Sequence, residues 1–174
     1  NHYLCDAVGL VFLGTFFRAT KRGRQWLETG REMIDAEIFN QTSEDGVDFE
    51  KSTAYHRLVL ELFFLTARYR EACGLPVPDA YRDRIVNMAR FTPTCRRPDG
   101  SASLLGAADA ARALPFGERA LGDHRYVVGL VGAHWSVAEL IDRFSGSRAE
   151  IFWTLGARAA AVLREVGGAL PSQY

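Results

Sequence analysis

Apolar residues recur every three to four positions along most of the chain, and strict alternation at every second position is scarce. That spacing directs the backbone into helices. The clearest case follows Ser52 and Thr53, either of which can cap a helix start. Tyr55, Leu58, Leu62, Leu65 and Tyr69 form a stripe, with Val59 and Phe63 beside it. Gly74 stops the pattern near Cys73, and Pro76 and Pro78 prevent its resumption. Leu4, Val8, Val11 and Phe12 predict an earlier helix ending near Arg18. Trp26, Leu27, Met33, Ile34 and Ile38 predict a second over residues 21–40. A polar connection follows, with Asp45-Gly46 as its turn signal. Further helices are expected over 78–91, 126–144 and 148–166. Residues 101–123 are the least regular stretch. The expectation is an all-α chain of antiparallel helical hairpins, as a bundle, solenoid or toroid, without a strict TPR or ankyrin repeat.

A length of 174 residues suits one all-helical domain over residues 1–174 with its own core. The 21 basic residues balance 21 acidic ones, which argues against a dedicated nucleic-acid binder or a polybasic membrane-surface protein. No apolar run reaches the ~18 residues of a membrane span. Every cation except Lys21 and Lys51 is arginine, a residue suited to carboxylates and sulfates. Cys5, Cys73 and Cys95 are odd in number and lack CxxC spacing, so they read as buried or half-buried thiols. The first residue is Asn1 and not Met, which reads as a processed, excised or incomplete piece. No signal segment is visible in it.

Motifs for common chemistries are missing. His2, His56, His124 and His134 form no HxxH or HExxH pair, so no metal site or cofactor is expected within the chain. There is no GxSxG elbow, P-loop or GxGxxG. The notable feature is polar residues at the starts of apolar helices: Asn1 with His2, and Tyr55 with His56. A tyrosine can serve as acid or base if a cation or hydrogen bond lowers its pKa from about 10. The plainer alternative is a core Tyr55 with a satisfied hydroxyl and a surface His56. Residues 32–50 hold acids and no base. They are a solvated face, or loop acids that organise a site. Trp135 and Trp153 are core anchors, or faces on which sugar rings stack.

The order of these residues resembles the heparinase II/III-like polysaccharide lyases, including the related alginate and oligoalginate lyases. Asn1-His2 is similar to that family's Asn-His helix start. Gln41, Asp45-Gly46, Glu50, Ser52 and Tyr55-His56 resemble its "Q…DG…E-S-x-x-YH" segment. Arg97-Pro98-Asp99-Gly100 and Leu104-Leu105-Gly106 resemble its "RPDG" segment. The likeness covers residues 1 to about 112. It implies part of an incomplete (α/α) toroid, with earlier toroid helices and a C-terminal β-sandwich, which in relatives often carries a structural zinc, absent from this piece.

The resemblance also implies β-elimination on a uronic-acid polysaccharide, in the periplasm or outside the cell. The C5 proton of a uronate is weakly acidic, so its carboxylate must be neutralised to stabilise an enolate-like intermediate. By the resemblance, Asn1 and His2 do this and Tyr55 is the general base and acid. Gln41, Glu50 and His56 match substrate-binding motif positions that orient the sugar or Tyr55. The acid-rich segment usual in the family is replaced by residues 106–112, where Asp109 and Arg112 survive. This favours the alternative of a non-catalytic carbohydrate-binding or polysaccharide-export-associated helical domain; a plain helical scaffold is a third reading. The partner implied is an acidic polysaccharide, with self-association left open.

Overall fold

The computed structural model describes residues 1–114, 116, 119–141 and 149–156. Within them the chain is all helical: α1 His2–Phe16, α2 Lys21–Gln41, α3 Thr53–Ala72, α4 Asp79–Phe91, a 3-10 turn at Thr92–Cys95, α5 Arg125–Trp135, α6 Ala138–Ile141 and α7 Ala149–Leu155. No strand is present among the described residues, only isolated bridges between Thr42 and Asp48 and between Arg96 and Ala102. The all-α expectation holds. The end of the helix expected over 148–166 lies outside the described residues.

Local signals set most boundaries. The Ser52 hydroxyl caps α3 by accepting from Tyr55 N at 3.2 Å, and Thr20 caps α2 through Gly23 N at 2.9 Å. The helix expected over 126–144 is instead broken. Ser136 takes a left-handed φ of 57°, ends α5, and lets α6 turn back onto Gly132. No glycine or proline marks that break in the sequence.

α1 and α2 form an antiparallel hairpin packed almost backbone to backbone. A Cβ on Gly30 would lie 2.8 Å from both Leu10 Cβ and Val11 N, so only glycine permits that approach. Leu4, Ala7 and Val11 on one helix and Ile34 and Ile38 on the other are fully buried. α3 lies deeper. Leu58, Val59, Leu60, Leu62, Phe63, Phe64 and Ala67 are all buried, so it is covered on more sides than its single stripe predicted. Tyr81, Ile85 and Met88 of α4 and Tyr126, Val127, Leu130 and Val131 of α5 complete the core.

α3 also buries charge. Arg70 reaches Asp35 of α2 with two hydrogen bonds, of 2.5 and 3.2 Å, and donates to Pro76 O. It thereby ties α2, α3 and the turn before α4 together. Cys5 is exposed, against the expectation of a buried thiol, while Cys73 and Cys95 are half-buried.

Candidate active site

Three segments meet at the N-terminus of α3: the loop 41–52, the first turns of α3, and an irregular strap over residues 101–114. The loop is shaped by its turn chemistry. Asp45 accepts from Val47 N and pairs with Ser43 Oγ, and Gly46 takes a φ of 88°. Phe49 N donates to Gln41 O at 2.9 Å, closing the loop. The main-chain nitrogen of Asn1 lies 3.5 Å from Glu50 Oε1, so the start of α1 comes to the same place.

The strap is held by the cap of α3 and by side chains spaced along the helix. Ser52 Oγ donates to Ala107 O at 2.5 Å. Thr53 donates from its hydroxyl to Ser103 O at 2.7 Å and from its N–H to Leu105 O at 3.1 Å, and its hydroxyl accepts from Leu105 N. Tyr55 donates its hydroxyl to Asp109 Oδ2 at 2.9 Å. Arg57 donates to Ala111 O at 2.7 Å. Glu61 accepts from Ala113 N at 2.6 Å and Leu114 N at 3.3 Å. The strap thus lies along α3 and finds many of its backbone partners in side chains of that helix and its cap, besides the main-chain bonds of Ala102 N to Gly122 O and Ser103 N to Cys95 O.

Behind it sits a buried charge pair. Arg57 Nη1 is 3.2 Å from Glu61 Oε1 and 3.3 Å from Tyr126 Oη, and the Tyr126 hydroxyl bonds Glu61. Both charged residues are 0% exposed. Burial raises the Glu61 pKa, opposed by Arg57 and by the strap N–H groups. A pair this deep depends on further partners; the strap backbone supplies them to Arg57 Nη2 and Glu61 Oε2, while Arg57 Nε finds none among the described residues. Neither Arg57, Glu61 nor Tyr126 was singled out from sequence. The available signal was an i,i+4 opposite-charge pair inside an otherwise apolar run.

The sequence-derived residues separate into two groups. Asn1, Glu50 and Tyr55 lie together at the surface of this region. Tyr55 is half-buried, and its pKa is raised by the hydrogen bond to Asp109, by that carboxylate's charge, and by Glu50. This is opposite to the lowering that a simple tyrosine base requires. His2 is exposed on α1. Gln41 and His56 are interior. Gln41 donates to Glu37 at 2.6 Å. His56 is 4% exposed; its Nε2 lies 3.2 Å from Met88 O and 3.1 Å from Thr92 Oγ1, and its ring packs edge-on against Phe91. Burial pushes its pKa down to about 4, so the imidazole is neutral. The plain surface reading of His56 is therefore incorrect, while Tyr55 packs partly against the core with its hydroxyl satisfied by Asp109.

His56 lines a cavity of about 200 Å³ with Asp48, Ser52, Thr53, Phe91 and Leu105. Asp48 is 1% exposed, and burial followed by repulsion from Glu50 raises its pKa to about 6. Of the loop acids weighed from sequence, Asp48 is the one placed inside. Trp135 packs on Phe64 and donates to Glu71, whereas Trp153 is 69% exposed and anchors no core. Among the described residues, no cluster of three His, Cys, Asp or Glu side chains is placed to hold a metal. No described helix is long and apolar enough to cross a membrane.

The arrangement is that of a helical scaffold presenting a tyrosine–carboxylate pair beside an Asn-His helix start. A family model described as "Heparinase II/III N-terminus" matches residues 1–113, and the chain belongs to that family. Heparin-sulfate lyase from Bacteroides stercoris is 29% identical over 101 residues, covering 57% of this chain and 15% of that protein. Heparin-sulfate lyase from Pedobacter heparinus is 28% identical over 108 residues, covering 61% of this chain and 16% of that protein. The match therefore spans about one sixth of those relatives' length. No solved structure matches the chain.

Proposed function

We propose that this chain is the helical part of a polysaccharide lyase that cleaves a uronic-acid-containing polymer by β-elimination. In this reading its helices are part of an (α/α) toroid, and the protein works in the periplasm or outside the cell. Asn1 and His2 hydrogen-bond the uronate carboxylate, so that removal of the C5 proton generates a stabilised enolate. Once the Tyr55 hydroxyl has lost its proton to solvent, its phenolate oxygen takes the C5 proton, the C4–C5 double bond forms, and the C4–O bond breaks with its electron pair on the departing oxygen. That oxygen takes the proton back from Tyr55. Glu50 lies where it orients the sugar or Tyr55. Gln41 and His56 support the loop and the first turn of α3 from within.

The observation that carries this reading is the Tyr55 hydroxyl. It stands on a deeply buried helix, yet it opens to the surface beside Glu50, within the residues matched to the family. The arginine-rich composition fits a polyanionic substrate. The test is turnover of heparan sulfate, alginate and hyaluronan by the intact protein that carries this chain. It is followed by the ultraviolet absorbance of the new conjugated double bond. Tyr55→Phe should lower turnover by at least about 10²-fold and change stability by no more than about 0.5 kcal/mol. Glycan binding without turnover, unchanged in Tyr55→Phe, would instead identify a carbohydrate-binding domain.

A further inference from the structure

One acid of residues 106–112, Asp109, meets Tyr55. Asp109 is doubly committed. Oδ2 accepts from the Tyr55 hydroxyl at 2.9 Å, and Oδ1 accepts from Ala111 N at 2.8 Å in an Asx turn. The same Ala111 offers its carbonyl to buried Arg57, two residues beyond Tyr55 on α3. Tyr55 and its acceptor are thus mounted on one helix, directly and through the strap, so their separation does not depend on a flexible loop. Ser52 holds the strap on one side of Asp109, and Glu61 holds it on the other.

We propose that Asp109 is a positioning residue for Tyr55, fixing the direction of its hydroxyl and keeping its proton in place while the site is empty. The inference rests on the reading of Tyr55 as the acid–base residue. The charged groups acting on the pair are few. Asp109 and Glu50 bear on Tyr55, and Arg57 bears on Asp109. Loss of the phenol proton would put a phenolate within about 3 Å of a carboxylate at the surface, with Glu50 nearby, and repulsion opposes that. Asp109 itself is held below the usual carboxylate range by the Ala111 N–H and the Tyr55 hydroxyl, so it is charged throughout the neutral range. Asp109 therefore makes Tyr55 ionise less readily and its phenolate more basic.

The experiment titrates Tyr55 in the intact protein by phenolate ultraviolet absorbance, taking the difference between wild type and Tyr55→Phe. The expected result is ionisation above the ordinary tyrosine value of about 10, returning toward it in Asp109→Asn and Asp109→Ala. In turnover assays, the limb of the pH profile that reports Tyr55 should move to lower pH in Asp109→Asn. KM should change less than kcat, because the bound polymer is held elsewhere. An ordinary Tyr55 titration in wild type, or one that Asp109→Asn leaves in place, overturns the proposal. A uniform fall in activity without movement of the pH limb also overturns it. If wild type turns over no uronate polymer while the titration shift is present, the lyase reading fails and the Asp109–Tyr55 pairing stands. Circular dichroism and thermal melting confirm that each variant is folded.

Discussion

The α1–α2 hairpin and the α3–strap region occupy one molecule but are held together by different physics. The hairpin joins through apolar side chains and a glycine that lets two backbones touch. Its attraction is non-directional burial, worth about 25 cal/mol per Å² of apolar surface. The strap has no helix or sheet ladder of its own. It stays in place because Ser52, Thr53, Tyr55, Arg57 and Glu61 take up its polar groups, Thr53 and Glu61 more than one each. Such contacts are directional, and the buried ones fail sharply when one partner is removed. The chemistry is expected on the second region, where side chains are fixed by geometry and not only by bulk.

Glu61→Ala should break the contrast most strongly. It leaves Arg57 buried without its counter-charge and the strap N–H groups without an acceptor. The expected cost is about 3–5 kcal/mol, read as a lower denaturation midpoint with faster hydrogen exchange over 107–114. A loss below about 1 kcal/mol would show that the pair does not hold the strap.

Acid should act next, and again through α3. The unfolded chain binds a proton at His56 near pH 6.5, whereas the folded chain resists it down to about 4. Stability is therefore full above pH 6.5 and falls as the pH drops toward 4, by up to about 3 kcal/mol from this residue. Asp48 opposes the trend. Its folded pKa is raised from 3.8 to about 6, so it weakens the fold as pH rises through that window. Equilibrium denaturation across this range should show a flatter acid loss in His56→Gln and a steeper one in Asp48→Asn.

Gly30→Ala examines the other half of the comparison. The added methyl collides with Leu10 and Val11. Overpacking costs about 1–3 kcal/mol, partly offset by about 1 kcal/mol of helix propensity. The thermal midpoint should fall while the pH dependence of stability stays that of wild type. The smallest effect belongs to Ser52→Ala. It removes both the α3 cap and the Ala107 contact, at about 1 kcal/mol. Hydrogen exchange should quicken near Tyr55 and residues 105–109 and leave α1 and α2 unchanged.

Much of this contrast is legible in the amino-acid sequence. The hairpin was readable from the spacing of Leu4, Val11, Ile34 and Ile38, because burial follows period and each helix reports its own face. Ser52 as a cap and Asp45-Gly46 as a turn were equally local. The sites of Asn1, Glu50 and Tyr55 came from motif order. Asp109 was visible as a surviving acid, but its partner was not, because the two residues are 54 positions apart. His56 reads from sequence like any polar residue in a first turn, and only packing against Phe91 and Met88 made it interior.

The sequence by itself determined the helical class and most helix starts and stops. Each of those depends on interactions within about four residues, through hydrogen-bonded turns, caps and the 3.6-residue period. Tertiary structure alone decided which polar side chains face inward, where α5 breaks at Ser136, and that a strap without secondary structure lies along α3. These outcomes depend on burial and on partners distant in the chain. A buried charge has no local signature, and a hydrogen bond to a remote backbone atom exists only once the fold has brought the two together.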